Sequence, residues 1–277
     1  MVLGYEIEFV LLFALALLTA GVVAGILAGL LGVGGGIVIV PVLFHLLSAL
    51  GVDDAVRMHI AVGTSLATII PTSIRSTLSH RKKGAVDEDI LRSWAVPLVA
   101  GVLIGTIAAD FSSGQMLTLI FAVVALLAAF NMAYAKEEWR LGEHLPDGAT
   151  KNGMVGVMGF FCAMMGIGGG TFGVTAMTLF GVPIHRAVGT AAGLGLIIAI
   201  PGTIGFIVSG WGAPLRPPLS LGYVNLLGFA LIVPATVLAA PLGVRLAHWM
   251  DRTTLKRAFA LFLAITSVRM FWDLWGG

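Results

Sequence analysis

The chain of 277 residues is 58% hydrophobic and 11% charged, with a formal net charge of +2 at pH 7. Soluble domains contain about 25% charged residues, so this composition excludes an ordinary soluble protein and predicts an integral membrane protein in contact with the lipid bilayer. The small charge favours no nucleic-acid partner, and the single cysteine, Cys162, excludes an internal disulfide bond and a cysteine metal cluster.

Charged residues divide the chain into ten apolar segments, which we predict to be the helices of an all-α, polytopic membrane bundle. They are 9–31, 37–52, 59–79, 92–109, 115–135, 153–167, 171–183, 187–209, 222–244 and 255–272. Three of them, 37–52, 153–167 and 171–183, are short for a crossing of a 30 Å hydrocarbon core. Half-helices or re-entrant segments are therefore alternatives to full spans there.

The same glycine cluster occurs at two boundaries between these segments. The first copy is Gly32–Gly36, in GLLGVGGGIVIVPVL, and the second is Gly166–Gly170, in AMMGIGGGTFGVTAM, 134 residues later. Glycine costs about 1 kcal/mol relative to alanine inside a helix, so consecutive glycines predict a helix break. Breaks at membrane depth occur where the freed backbone is inside the protein or lines a cavity, and paired breaks in two halves are typical of a transport site.

An internal duplication relates the two halves of the chain. MHIAVGTS (58–65) matches IHRAVGTA (184–191) at an offset of 126 residues, and GAVD (84–87) matches GYVN (222–225) at an offset of 138. We predict about five segments in each repeat, with three parts in the chain: a first transmembrane repeat over 1–135, a cytoplasmic linker over 136–151 and a second transmembrane repeat over 152–277.

An odd number of helices per repeat predicts that the two repeats have opposite orientations in the membrane. Lys and Arg residues are enriched in cytoplasmic loops, and their distribution is reversed between matched loops. Loop 80–92 has four and its counterpart 209–222 has one, whereas loop 110–116 has none and its counterpart 245–257 has four. The two repeats are therefore predicted to be inverted, with both termini outside and the linker inside; Arg57 is the one exception.

The glycine clusters are the first candidates for substrate binding. If a helix restarts after each cluster, its first N–H groups have no intrahelical partner and its positive dipole end points at the break. Such an end favours a small anion, so the candidate ligands are the backbone groups of six glycines: Gly34, Gly35, Gly36, Gly168, Gly169 and Gly170. The alternative is that the glycines only allow close helix crossing.

The repeated Gly-Thr motif supplies the next candidates. The hydroxyl groups of Thr64, Ser65 and Thr190 could donate to an anion, or to a carbonyl one turn earlier in their own helix. His59 and His185 each precede a Gly-Thr pair by four residues. For these histidines the alternatives are a proton or anion role and a capping or interface role.

Arg75 and two prolines complete the candidate site. Arg75 lies inside a hydroxyl-rich apolar segment, where an ionisable residue is a functional candidate; the alternative is that its side chain reaches the cytoplasmic interface. Pro71 and Pro201 each interrupt an apolar segment and are either gate hinges or simple kinks. No protease, hydrolase or nucleotide-binding motif is present, so we expect no enzyme, cofactor or metal.

The chain resembles the TauE/SafE family of sulfite and organosulfonate exporters. The elements that carry the resemblance are GLLGVGGG (29–36), AVGTS (61–65), HRKKGAVD (80–87), MGIGGG (165–170) and AVGT (187–190). The resemblance implies a multi-pass carrier in the bacterial inner membrane that moves small sulfur-containing anions, with sulfite favoured, usually outward.

The proposed mechanism is alternating access at a midplane site between the repeats. With the inside negative, each anionic charge moving outward gains about 2.3 kcal/mol per 100 mV, so export needs no coupling ion. A gated anion channel and an importer of sulfate-like anions are the alternatives, and a homodimer is compatible with the sequence.

Overall fold

A computed structural model describes residues 7–32, 34–134, 141–246 and 252–275. The described residues form ten α-helices: α1 (Ile7–Leu31), α2 (Gly36–Ala49), α3 (Asp54–Arg81), α4 (Glu88–Asp110), α5 (Gly114–Tyr134), α6 (Gly148–Met165), α7 (Gly170–Leu179), α8 (Ile184–Ser209), α9 (Leu226–Leu246) and α10 (Arg252–Trp275). The all-α prediction is confirmed, and each predicted segment corresponds to one helix.

Most helix boundaries differ from the predicted segments by a few residues, and two of these differences bear on the connections between helices. Segment 222–244 was expected to be helical from its first residue, but α9 begins at Leu226 because a short antiparallel hairpin precedes it. The hairpin consists of β1 (Ser220–Leu221) and β2 (Val224–Asn225). α6 begins at Gly148, inside the predicted linker 136–151, of which residues 136–140 lie outside the described part. The division into repeats and linker stays a prediction.

Polar side chains determine where three helices begin. Asp53 accepts a hydrogen bond from the backbone N–H of Ala55 at the start of α3 (2.9 Å). Asp87 does the same at the start of α4, where it accepts from two backbone N–H groups. Asn225 Oδ1 accepts from Gly228 N at the start of α9 (2.8 Å). Each side chain satisfies N–H groups that the first helical turn leaves unpaired.

Four of the described helices are long and apolar enough to cross a membrane: Glu88–Asp110, Ile184–Ser209, Leu226–Leu246 and the 18-residue part Gly114–Asn131 of α5. α2 and α7 have 14 and 10 residues, which correspond to about 21 and 15 Å of helix. Both are therefore half-helices, which was one of the alternatives left open by the sequence.

Among the described residues, the most extensive helix contacts are those of α1 with α9 and of α4 with α6. In each pair, a backbone carbonyl oxygen of one helix lies where a glycine of the other would carry a side chain. The carbonyl of Thr236 lies against Gly25, that of Ile26 against Gly243, that of Leu98 against Gly159 and that of Phe160 against Gly105. Adding 134 to the residue numbers in α1 and subtracting 138 from those in α9 converts the first two contacts into the last two. The packing is therefore reciprocal between the two halves.

The equivalent helices α3 and α8 run in opposite directions. α3 and α8 contain the matched segments 58–65 and 184–191, and they cross in an antiparallel manner. Near the start of α3, Gly63 lies against Phe206, near the end of α8; further along, Ser73 lies against Gly195. This antiparallel crossing is the arrangement that inverted-topology repeats require.

Candidate functional site

The first glycine cluster breaks the chain between α1 and α2. α1 ends at Leu31 and α2 begins at Gly36. Gly34 and Gly35 have φ angles of +73° and +78°, a left-handed conformation that is strained for residues with a Cβ. The carbonyl of Gly35 then accepts hydrogen bonds from the N–H groups of Val38 and Ile39 (3.1 and 3.2 Å), which closes the first turn of α2.

The second cluster breaks the chain between α6 and α7 with a different geometry. Gly166 has a φ of +66° and ends α6 in a Schellman motif, in which Gly166 N donates to Ala163 O and Ile167 N donates to Cys162 O. Gly169 keeps a right-handed conformation (φ −61°) at the start of α7. Both predicted breaks are present, but their backbones are not copies of each other.

The two breaks lie against each other in the interior of the bundle. A methyl group on Gly34 would lie 3.4 Å from the Cα of Gly168, and one on Gly36 would overlap the carbonyl oxygen of Gly166. The six predicted glycines, Gly34 to Gly36 and Gly168 to Gly170, are all buried. The fold therefore brings the two clusters together, and the absence of side chains makes their close approach possible.

Ser65 is the hydroxyl residue that connects the two breaks. It is fully buried as the twelfth residue of the 28-residue helix α3, close to the middle of that helix. Its Oγ donates a hydrogen bond to the carbonyl of Gly166 (2.7 Å) and lies 2.9 Å from the position of a Cβ on Gly36. The hydroxyl hydrogen of Ser65 is therefore already used within the protein.

Thr64 and Thr190 have matching contacts away from the breaks. Thr64 Oγ1 accepts a hydrogen bond from Asn225 N (2.8 Å), and Thr190 Oγ1 accepts one from Asp87 N (2.9 Å). Asn225 and Asp87 are the matched N-cap residues of α9 and α4. Each threonine thus holds the start of the fourth helix of the other repeat, which is the structural use of the Gly-Thr motif.

The remaining candidates do not reach the breaks. Arg75 is exposed on α3, the orientation expected if its side chain reaches an interface. His59 is buried, with Nε2 3.1 Å from Ala109 O and its ring 5.0 Å from that of Tyr223, whereas His185 is exposed at the start of α8. The matched histidines therefore have different surroundings.

Pro71 and Pro201 are half-buried inside α3 and α8. Both helices continue through their proline. α3 and α8 are the two helices that cross at the breaks. A proline has no backbone N–H group, and each of these two prolines therefore removes one helical hydrogen bond from a helix that borders the site.

Charged groups gather at the predicted cytoplasmic end of the bundle. Asp87 forms an ion pair with Arg186 (3.0 Å), and Lys83 Nζ donates to the carbonyl of Val244 (3.3 Å), near the end of α9. At the opposite end, burial raises the pKa of Tyr223, and the negative charge of Asp110 acts in the same direction. These charged groups lie at the ends of the bundle, away from the breaks.

Two features of the structure were not anticipated from the sequence. Ser73 is 1% exposed, and its Oγ has no hydrogen-bond partner. Ser73 lies in the hydroxyl-rich run that also contains Arg75. A charged side chain inside an apolar segment indicates a functional residue more strongly than a serine does, so the sequence pointed to Arg75. His45 Nδ1 on α2 lies 3.5 Å from a carboxylate oxygen of Asp273 on α10, a contact that no sequence pattern indicated. Within the described ranges, no group of three or more His, Cys, Asp or Glu side chains could hold a metal ion.

Comparison with known proteins identifies the family. Residues 17–270 match the family model described as "Sulfite exporter TauE/SafE". A "Probable membrane transporter protein" of Haemophilus influenzae is 36% identical over 242 residues, which cover 87% of this chain and 91% of that protein.

Two more distant relatives carry similar names. A protein of Methanocaldococcus jannaschii, also called a "Probable membrane transporter protein", is 28% identical. The aligned region covers 98% of this chain and 99% of that protein. A third, from Bacillus subtilis, is 27% identical over 88% of this chain and 92% of its own. No solved structure matches the chain. The family model covers most of the sequence, and the chain therefore belongs to the TauE/SafE sulfite exporter family of membrane transporters.

Proposed function

We propose that this protein is a secondary transporter that exports small sulfur-containing anions, sulfite or an organosulfonate, by alternating access at the two glycine breaks. The observation that carries this proposal is the meeting of two broken helices inside the bundle, one from each half of the chain. Each break is followed by a half-helix whose N-terminal N–H groups are available to an anion.

The backbone of the glycine clusters supplies the anion ligands in this proposal. No glycine carries a Cβ, so an anion can approach the N–H groups of Gly34–Gly36 and Gly168–Gly170 directly. Ser65 holds the two breaks together through its bond to Gly166. Thr64 and Thr190 have structural contacts instead. Exposed Arg75 would act on the approach of the anion and not at the breaks.

The two ends of the bundle carry contacts that would open in turn. At one end, Asp87 joins the starts of α4 and α8 through Arg186 and Thr190. At the other, Thr64 joins α3 to the hairpin before α9. Pro71 and Pro201 would be the hinges of α3 and α8, because a missing N–H group weakens a helix locally. His59 would gate the end where it contacts Ala109 and Tyr223, and His185 the opposite end.

The direction of transport follows from the membrane potential. We place the protein in the bacterial inner membrane with the linker 136–151 in the cytoplasm, where the potential is negative. Each anionic charge that leaves gains about 2.3 kcal/mol per 100 mV, so export requires no coupling ion.

Flux of sulfite in proteoliposomes with an imposed potential tests the proposal. Gly35→Leu and Gly169→Leu should each abolish flux, because a side chain at Gly35 would overlap Ala24 of α1 and one at Gly169 would overlap Leu194 of α8, which would displace both breaks. Gly153→Leu is the matched control, since a Cβ at exposed Gly153 in α6 meets no atom within 4 Å. Unchanged flux in both folded break variants would refute the role of the breaks. Ohmic current without saturation would establish a channel, and uptake of sulfate against the expected direction would establish an importer.

A further inference from the structure

We propose that Ser73 is a substrate-binding residue and that the anion is held at the N-terminus of α7, next to Gly195, closer to the second break than to the first. This inference rests on the proposed transport function and names one further ligand for the same site. The ligand class is a small oxyanion, whose oxygen accepts a hydrogen bond from the Ser73 hydroxyl.

The first argument is the state of the Ser73 hydroxyl. The side chain is 1% exposed, and Oγ has no hydrogen-bond partner in the structure. A buried hydroxyl group is normally hydrogen-bonded, because leaving it unpaired is destabilising. Ser65, two turns earlier on α3, already donates to Gly166, so of these two serines beside the breaks only Ser73 has a free donor.

The second argument is the position of that hydroxyl. The Cβ that a side chain at Gly195 would have lies 2.8 Å from Ser73 Oγ and 3.8 Å from the backbone nitrogen of Gly169. Gly169 is the N-cap of the ten-residue helix α7. The position that a side chain at residue 195 would occupy therefore lies beside both an unpartnered hydroxyl and the positive end of a helix, the combination that binds an anion.

The third argument is the wall of this space. Ile69 Cγ2 lies 3.8 Å from the Cβ position of Gly195 and 3.3 Å from that of Gly34, and its Cδ1 lies 2.9 Å from that of Gly36. Ile69 thus separates the first break from the Ser73 side. At the α2 end the neighbouring hydroxyl, that of Ser65, already donates to Gly166, whereas the α7 end has the unpartnered hydroxyl of Ser73 beside it. The site is asymmetric although the repeats are matched.

Binding of sulfite to the purified full-length protein, measured by isothermal titration calorimetry, tests the inference. Ser73→Ala should raise the Kd at least about tenfold, because it removes a hydrogen bond to a charged ligand. Gly195→Ala should raise the Kd by at least as much, since its methyl group would occupy the space beside Ser73 Oγ. Without sulfite, Ser73→Ala should unfold at the wild-type temperature or higher, which separates a binding role from a structural one.

Two matched variants serve as controls. Ser267→Ala removes another unpartnered hydroxyl, 0% exposed, from α10. Gly202→Ala adds a methyl group to α8 at a position where the nearest atom is the flexible end of Leu66 (3.1 Å). Both should change the Kd for sulfite by less than about twofold.

Each outcome decides between the two proposals. If Ser73→Ala and Gly195→Ala bind sulfite no more weakly than the controls while the wild type transports it, the role of Ser73 is refuted and sulfite export stands. If the wild type binds no sulfite, sulfite export is refuted, and the same variants are titrated with sulfate and with methanesulfonate. A tenfold loss for either anion in Ser73→Ala then supports the site, and binding of neither anion by the wild type refutes it.

Discussion

Asp87 holds the start of α4 and offers the sharpest test of the packing at the predicted cytoplasmic end. Its carboxylate accepts hydrogen bonds from Asp89 N and Ile90 N (3.1 and 3.2 Å) and pairs with Arg186 on α8 (3.0 Å). Its backbone N–H donates to Thr190. Asp87→Ala removes the capping bonds and the ion pair but leaves the backbone bond in place.

The expected loss in the free energy of unfolding can be divided between these contacts. An N-cap residue contributes about 1 kcal/mol. The ion pair contributes at most about 0.5 kcal/mol, because the Arg186 side chain is 57% exposed and solvent screens the pair. Asp87→Ala should therefore cost about 1.5 kcal/mol. Asp87→Asn should cost no more than about 0.5 kcal/mol, because asparagine caps the matched helix α9 at Asn225.

Unfolding of the purified variants in mixed micelles, followed by circular dichroism over a titration with SDS, measures these differences. Arg186→Gln should lower the free energy of unfolding by the same amount as Asp87→Asn. It should have no further effect in the Asp87→Ala background, because the ion pair is already absent there. An equal loss for Asp87→Asn and Asp87→Ala would refute the capping argument. It would show instead that the charge of Asp87 stabilises the start of α4.

Three further predictions concern the interior of the bundle. Thr72→Val should lower the free energy of unfolding by about 1 kcal/mol, because it removes the buried hydrogen bond to Thr236 (2.8 Å). A double-mutant cycle with Thr236→Val should then show positive coupling between the two residues. Additive losses in the two single variants would contradict the hydrogen bond. Gly159→Leu should abolish the folded peak in size-exclusion chromatography, because its side chain would overlap the backbone of α4, whereas Gly153→Leu should not. Cys162, fully buried, should react with a maleimide only after denaturation; rapid labelling of the folded protein would show that the second break opens to solvent.

Much of the architecture is determined by local properties of the sequence. Runs without charge predicted the ten helices, because a helix that crosses a bilayer cannot expose charged side chains to lipid. Consecutive glycines predicted the two breaks, because glycine weakens a helix wherever it occurs. The distribution of Lys and Arg predicted the inversion, and the antiparallel crossing of α3 and α8 agrees with it. The error at residues 222–225 arose because GYVN carries no charged residue and so extends the uncharged run of α9, although it forms a turn and a strand.

The roles of the polar side chains depended on the tertiary structure. The sequence shows that Thr64 and Thr190 are matched, but a hydroxyl group binds an anion or a backbone N–H equally well. Only the fold shows that the matched N-cap residues of α4 and α9 donate to them. Arg75 and Ser73 lie two positions apart on one helix, so they point to different sides, and only the position of α8 decides which of the two faces the interior.

The sequence by itself therefore determined the class of the protein, its helices, its breaks and the opposed orientation of its halves, because each depends on composition or on residues close together in the chain. The tertiary structure decided which groups meet at the breaks. Contacts such as Ser65 with Gly166 and Ser73 beside Gly195 join residues about a hundred or more positions apart, and they depend on which face each helix turns to its neighbour.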